Sequence, residues 1–281
     1  MNNISLGRYV PYNSIIHRMD PRNKILCVII LMVAVFLKLP NYPTTFIVGG
    51  ALALIILGIL LIARVSIIDI FKSLRVLWFF IIVLLLVNIL IPPTSVEGQT
   101  PLFYIGTLGI YLDSILQSLK IILRLILMIE LTMVLTSTTK PLDLTYALEW
   151  YLTPLKVIKF PVHEVAMVIS IALRFIPTLL DETTRIMKAQ ESRGVDFKHG
   201  KLSTRVKAIV SLIIPLFISA FQRSEELADS MEARGYNPTA KRTRYRILKF
   251  HWRDLLSVLF TGVILAGVIY FCNVGIMLWD I

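Results

Sequence analysis

The chain has 281 residues, 56% hydrophobic and only 17% charged, and its 29 Lys and Arg against 18 Asp and Glu give a formal net charge of +11. Soluble domains carry about 25% charged residues, so too few polar side chains are present to cover a water-soluble globule. The composition excludes a soluble enzyme, a disordered chain and a nucleic-acid-binding domain, and it predicts an all-α polytopic membrane protein whose basic excess marks the cytoplasmic side.

Residues 1–24 read as a polar cytoplasmic tail with no apolar leader segment. Asp20 is placed to cap a helix and Pro21 to begin it, beside the inward-facing bases Arg18, Arg22 and Lys24. That reading leaves only Ser14 and His17 unexplained, and a lone His there reads as a hydrogen-bonded structural residue. A helical span needs about 20 mostly apolar residues. Ile25–Leu37 has thirteen, with Lys24 and Lys38 able to snorkel from its ends. Leu39–Ala63 is uncharged, with a turn expected at Asn41-Tyr42-Pro43, and Val76–Val96 is uncharged and ended by Pro92-Pro93. Ser114–Thr136 is the fourth span, closing a transmembrane region over 25–136.

That fourth span carries Lys120, Arg124 and Glu130. Asp113, Gln117, Lys120 and Arg124 follow helical spacing and form one polar stripe, with Glu130 off that face. Intramembrane charges usually face a bundle interior. The stripe reads as a structural one pairing with neighbouring helices or lipid phosphates, with a substrate pathway as the alternative.

Residues 137–253 are different. Two apolar runs, 165–180 and 208–221, are separated by Arg185, Lys188, Arg193, Lys198, Lys201, Arg205 and Lys207. Placing those charges outside would break the rule that orients the rest of the chain. The second run is also only fourteen residues long and contains Pro215. Both are therefore expected to stay on the cytoplasmic side or in the interface, with their apolar faces covered by protein or lipid headgroups. If continuous, helices over 162–193 and 204–234 would each be roughly 45–50 Å long, lengths suited to levers. Pro177 and Pro215 inside them are hinge candidates. A further interfacial helix is expected around 142–156. Residues 254–281 contain the last span, Leu255–Trp279. With Arg8, Arg18, Arg22 and Lys24 before the first span, Arg64, Lys72 and Arg75 in the second loop, and no Lys or Arg over 92–113 or after Leu278, the N-terminus is expected in the cytoplasm and the C-terminus outside. About five spans give that parity.

The two long helices end alike, in Glu191-Ser192-Arg193-Gly194 and Glu232-Ala233-Arg234-Gly235. Gly after a helix closes its last turn in the left-handed conformation, and Arg suits the negative end of the helix dipole. Two such ends, each closing a helix that is apolar in its first half and acidic in its second, suggest more than capping. An Arg at a helix tip presents a rigid fork of donors to a carboxylate or to backbone carbonyls. Catalytic patterns fail. Gly194 to Gly200-Lys201 has the wrong spacing for a phosphate-binding loop and Leu202 where Ser or Thr is required, and His163-Glu164 has no second His one turn on. Cys27 and Cys272 lie in apolar runs without metal-ligand spacing. No catalytic residue, metal ligand or resident cofactor is expected.

These residues together resemble a known family. His17-Arg-Met-Asp20-Pro21-Arg22-Asn-Lys24, Leu135-Thr-Ser-Thr-Thr-Lys-Pro-Leu-Asp-Leu144, Ile171-Ala-Leu-Arg-Phe-Ile-Pro177-Thr178 and the two Arg-Gly ends are similar to the transmembrane T component of bacterial energy-coupling factor (ECF) transporters, of the shared-module type. The family's helix ends typically read Ala-Arg-Gly, and the first end departs with Ser192, which is similarly small. The resemblance implies a non-catalytic coupling subunit in the bacterial cell membrane. Arg193 and Arg234 would dock into two cytoplasmic ABC-type ATPases, which hold the ATP and Mg²⁺. The apolar helix halves would hold a small membrane S component that binds a vitamin or other micronutrient and topples to release it. The competing readings are the permease of a conventional ABC importer, an intramembrane lipid-modifying enzyme acting through Lys120 and Arg124, and a passive membrane scaffold. The permease would show one coupling loop with a Glu-Ala-Ala…Gly pattern, whereas two tips are present.

Overall fold

The computed structural model describes residues 12, 14–90, 103–105, 108–197, 201–237 and 250–274. The described chain is built of helices: α1 (Pro21–Phe36), α2 (Tyr42–Ile62), α3 (Ile67–Leu90), α4 (Leu112–Thr138), α5 (Pro141–Leu152), a 3₁₀ helix (Thr153–Ile158), α6 (Val162–Ser192), α7 (Leu202–Ala233) and α8 (Trp252–Val274). Between α3 and α4 a short antiparallel hairpin pairs β1 (Phe103–Ile105) with β2 (Leu108–Ile110), Tyr104 standing opposite Gly109. By length and composition α2, α6, α7 and α8 can each cross a bilayer, and the chain is a multi-pass membrane protein.

The described residues fall into two compact units, and α5 runs from one into the other. One unit holds α1 to α4 and α8. Its core forms at helical spacing: Val28, Leu31 and Val35 from α1, Val48, Leu52, Ile56 and Leu60 from α2, Leu127, Leu131 and Val134 from α4. α4 packs on α1, α2 and α3, and α1 packs on α8. Between transmembrane helices lipid supplies no hydrophobic drive, so close backbone approach matters instead. Gly49 provides it, since a Cβ there would lie 2.5 Å from Leu123 Cδ2 of α4. The opposite helix faces carry exposed apolar groups such as Leu54 and Phe79, as a lipid-facing surface does.

The other unit, from Leu148 through α7, pairs α6 with α7. Arg223 lies over the Phe175 ring, 5.9 Å from its centroid. Both long helices are continuous through Pro177 and Pro215. Each proline removes one backbone donor, and the ladder on either side carries the helix past it.

Four expectations change. The helix around the third span begins at Ile67, so Lys72 and Arg75 belong to its first turns and not to a loop. An apolar run marks the hydrocarbon thickness, whereas backbone hydrogen bonding continues into water beyond it. Tyr42 and Pro43 open α2 and do not form a turn within a span. Asn41 is the residue before the helix, and its carbonyl accepts from the Thr44 and Thr45 hydroxyls at 2.8 and 2.9 Å. α7 has 32 residues, so shortness of its apolar run no longer argues against its crossing the bilayer; the basic charges between α6 and α7 carry that argument alone. The segment around 142–156 divides into α5 and the 3₁₀ helix, because Pro154 cannot continue the α-helical ladder. The ends of the spans expected at Val96 and Trp279, Pro92-Pro93, and Lys198 lie outside the described residues.

Candidate functional site

The two Arg-Gly ends share one geometry. At α6, Arg193 is the last helical-side residue (φ −87°, ψ 7°) and Gly194 turns left-handed at φ +85°. The Val195 N–H donates to the Gln190 carbonyl at 3.0 Å, and the Gly194 N–H to Glu191 at 2.9 Å. At α7, Arg234 sits at φ −89°, ψ 10° and Gly235 at φ +70°. The Tyr236 N–H donates to Met231 at 3.0 Å and the Gly235 N–H to Glu232 at 2.8 Å. Both are Schellman closures, the paired 6→1 and 5→2 bonds that satisfy the orphan carbonyls of a helix end.

The closure fixes the backbone but leaves the guanidinium unused. Arg193 and Arg234 are exposed, and neither side chain has a hydrogen bond or ion pair among the described residues. Ser192 directs its hydroxyl back to the Lys188 carbonyl at 3.0 Å. Its polar group is thereby used within the helix, and its outer face resembles that of the alanine at 233. Glu191 and Glu232, two residues back, are exposed, as are Asp181, Glu225, Glu226 and Asp229. Arg185 donates to both oxygens of Glu182 at 2.6 Å, and this pair holds its guanidinium above the ordinary arginine range. Each helix therefore offers an acidic flank and a free cationic tip.

The first half of α7 is apolar and largely uncovered within this unit, whereas that of α6 is mostly half-buried, with Val162 and Ala166 buried. On α7, Val206, Val210, Ile213, Ile214, Phe217 and Phe221 recur at helical spacing and are all exposed. Pro177 is exposed and Pro215 half-buried inside their helices. Sequence reasoning missed a pairing at the base of this unit, where His163 Nδ1 lies 3.3 Å from Oε1 of the buried Glu149 and joins α5 to α6. Fourteen positions separate the two residues, and nothing in the sequence links them.

The N-terminal motif forms a clasp. Asp20 caps α1, its Oδ1 accepting from the Arg22 N–H at 2.9 Å, with Pro21 in the first turn. Asp254 of α8 accepts from the Asp20 N–H at 2.9 Å through Oδ1 and from the His251 N–H at 2.9 Å through Oδ2. Asn23 Nδ2 donates to the Asp254 carbonyl and to Ser257 Oγ, both at 2.7 Å. Lys24 Nζ donates at 2.9 Å to the carbonyl of Thr138, the last residue of α4, with Asp143, Asp254 and Asp20 near enough to interact with its charge. His17 Nδ1 shares a 2.7 Å hydrogen bond with Ser14 Oγ. The motif thus joins the ends of α1, α4 and α8. Asn23, Lys24 and Asp254, which sequence reading had not singled out as a set, do most of the joining.

Lys120 and Arg124 line one cleft with residues of the turn between α1 and α2. Glu130 is buried in α4 away from them. Among the described residues no group of three His, Cys, Asp or Glu side chains is placed to hold a metal ion.

A comparison with protein families matches residues 12–245 to the family CbiQ, described as Cobalt transport protein. The chain is similar to the protein named energy-coupling factor transporter transmembrane protein EcfT of Macrococcus caseolyticus, with 43% identity over 273 residues that cover 97% of this chain and 100% of that protein. The proteins of the same name from Bacillus subtilis and Staphylococcus aureus are each 42% identical, over 271 and 270 residues, covering 96% of this chain and 98% and 97% of theirs.

Proposed function

The chain belongs to the CbiQ cobalt transport family, and from that premise we propose that it is the energy-coupling transmembrane subunit of an ATP-driven ECF importer. It has a transport role within the membrane. In our reading it binds no ATP itself. Two ABC-type ATPases dock on Arg193 and Arg234, and the motion of their closure passes along α6 and α7. The apolar halves of those helices hold a small membrane S component that carries a vitamin or other micronutrient. The chain lies in the bacterial cell membrane with its N-terminus in the cytoplasm and its C-terminus outside.

One observation carries this reading: two separate helices end in the same Schellman closure with an exposed arginine that has no partner among the described residues. A tip that served capping alone would need the glycine but not a free guanidinium beside it. A cationic fork at a helix end can bind a carboxylate or a set of carbonyls on a docking partner. The acidic flanks make the approach polar, while the exposed apolar face behind them requires lipid or a greasy partner. Pro177 and Pro215 each delete one bond of the helical ladder, which makes them the points where these levers would flex.

The test is substrate uptake in cells that carry Arg193→Ala together with Arg234→Ala. Uptake is expected to be abolished while the protein still reaches the membrane. Normal uptake, with the ATPases still associated, would refute the proposal.

A further inference from the structure

The turn between α1 and α2 and the facing stretch of α4 enclose a cleft of about 470 Å³, lined by Lys38, Asn41, Tyr42, Gln117, Lys120 and Arg124 among others. Three of these side chains are cationic and no carboxylate lines the cleft. Asp113, one turn before Gln117, lies near Tyr42. Lys120 is close enough to Arg124 and Lys38 to feel the charge of both. Neither lysine ammonium has a hydrogen bond or ion pair among the described residues. Arg124 is held in place, its guanidinium over the Phe36 ring at 5.6 Å and its Nη2 donating to the Leu37 carbonyl at 3.4 Å. One long bond uses one of five donors and leaves most of the fork open.

Lys120 and Arg124 are half-buried with the exposed Lys38 close by, and like charges so placed are costly unless something neutralises them. An arginine fork with flanking ammonium groups matches the oxygens of a phosphate, and basic pockets between transmembrane helices hold lipid phosphates. A second, smaller space of about 30 Å³ is lined by Ala34, Val48, Gly49 and Leu127 together with Lys120 and Arg124, room for about one water molecule.

We propose that this cleft binds a phosphate-bearing anion, either a phospholipid headgroup of the adjoining leaflet or free phosphate, on Lys38, Lys120 and Arg124. The inference does not depend on the coupling role.

The test uses the full chain in nanodiscs of phosphatidylcholine doped with phosphatidylglycerol, with bound lipid read by native mass spectrometry. Wild type is expected to retain one phosphatidylglycerol. Each lost cation weakens binding about fivefold, so Lys120→Gln with Arg124→Gln binds it roughly thirtyfold more weakly. Titration with inorganic phosphate separates the sources: phosphatidylglycerol that stays bound identifies a headgroup site, and displacement identifies a site for the free anion. Lys38→Gln, in the exposed turn, is expected to fold as wild type and bind about fivefold more weakly, so it decides the matter if the double variant does not fold. Equal binding of phosphatidylglycerol and of phosphate by wild type and by Lys38→Gln would overturn the proposal.

Discussion

At each of the two helix ends, the left-handed turn at one glycine sets where the neighbouring guanidinium points. A Cβ added at Gly194 or Gly235 would meet nothing within 4 Å, so the requirement for glycine is one of backbone conformation and not of space. An L-residue in that region costs about 1–2 kcal/mol, and asparagine pays less than alanine. Gly194→Ala and Gly235→Ala are therefore expected to fray their tips and lower the yield of co-purifying ATPase, while Gly194→Asn and Gly235→Asn retain more of it. Equal yields from the alanine and asparagine variants would contradict this. These caps could be read from sequence because they are local: an Arg-Gly pair closing a helix, or Asp20-Pro21 opening one, needs no distant partner. The partners of Asn23 and Lys24 could not, since Asp254 and Thr138 stand 231 and 114 positions away and nothing local to Asn23 points to them.

Composition located the helices better than it located their ends. The apolar runs place α1, α2, α4 and α8 close to where they stand, but α3 starts at Ile67, nine residues before the uncharged stretch. The β1–β2 hairpin lies in a segment whose alternation is too short to distinguish it from a loop. α7 has the length expected for it, Leu202–Ala233, although its uncharged run covers less than half of the helix. The clasp between elements has a measurable value. Asp254 is only 1% exposed and serves two backbone N–H groups, those of Asp20 and His251. Removing the carboxylate leaves both donors unsatisfied, and Asp254→Ala is expected to destabilise the unit by on the order of 2–4 kcal/mol. Asp254→Asn keeps one acceptor and is expected to lose less. Thermal melts in mild detergent would show this as a graded fall in midpoint; an unchanged midpoint for Asp254→Ala would remove the clasp from the account.

Across the whole molecule the two units differ in how they satisfy their surfaces. The unit of α1 to α4 and α8 has a buried core at helical spacing and a lipid-like outer face. The unit of α6 and α7 has few buried side chains, and it exposes an apolar face, an acidic flank and two free arginines. In the function proposed above, a surface with that order of chemistries is completed by other chains, one apolar and one polar. The change from apolar to acidic halves, which occurs in both helices, is legible in the sequence. The measurement that tests the central claim most directly is purification of the tagged chain from its native membrane in mild detergent, with mass spectrometry of the proteins that accompany it. The account predicts one or two kinds of ATP-binding subunit and a small, very hydrophobic membrane protein. The chain emerging alone, stable and monodisperse, would contradict it.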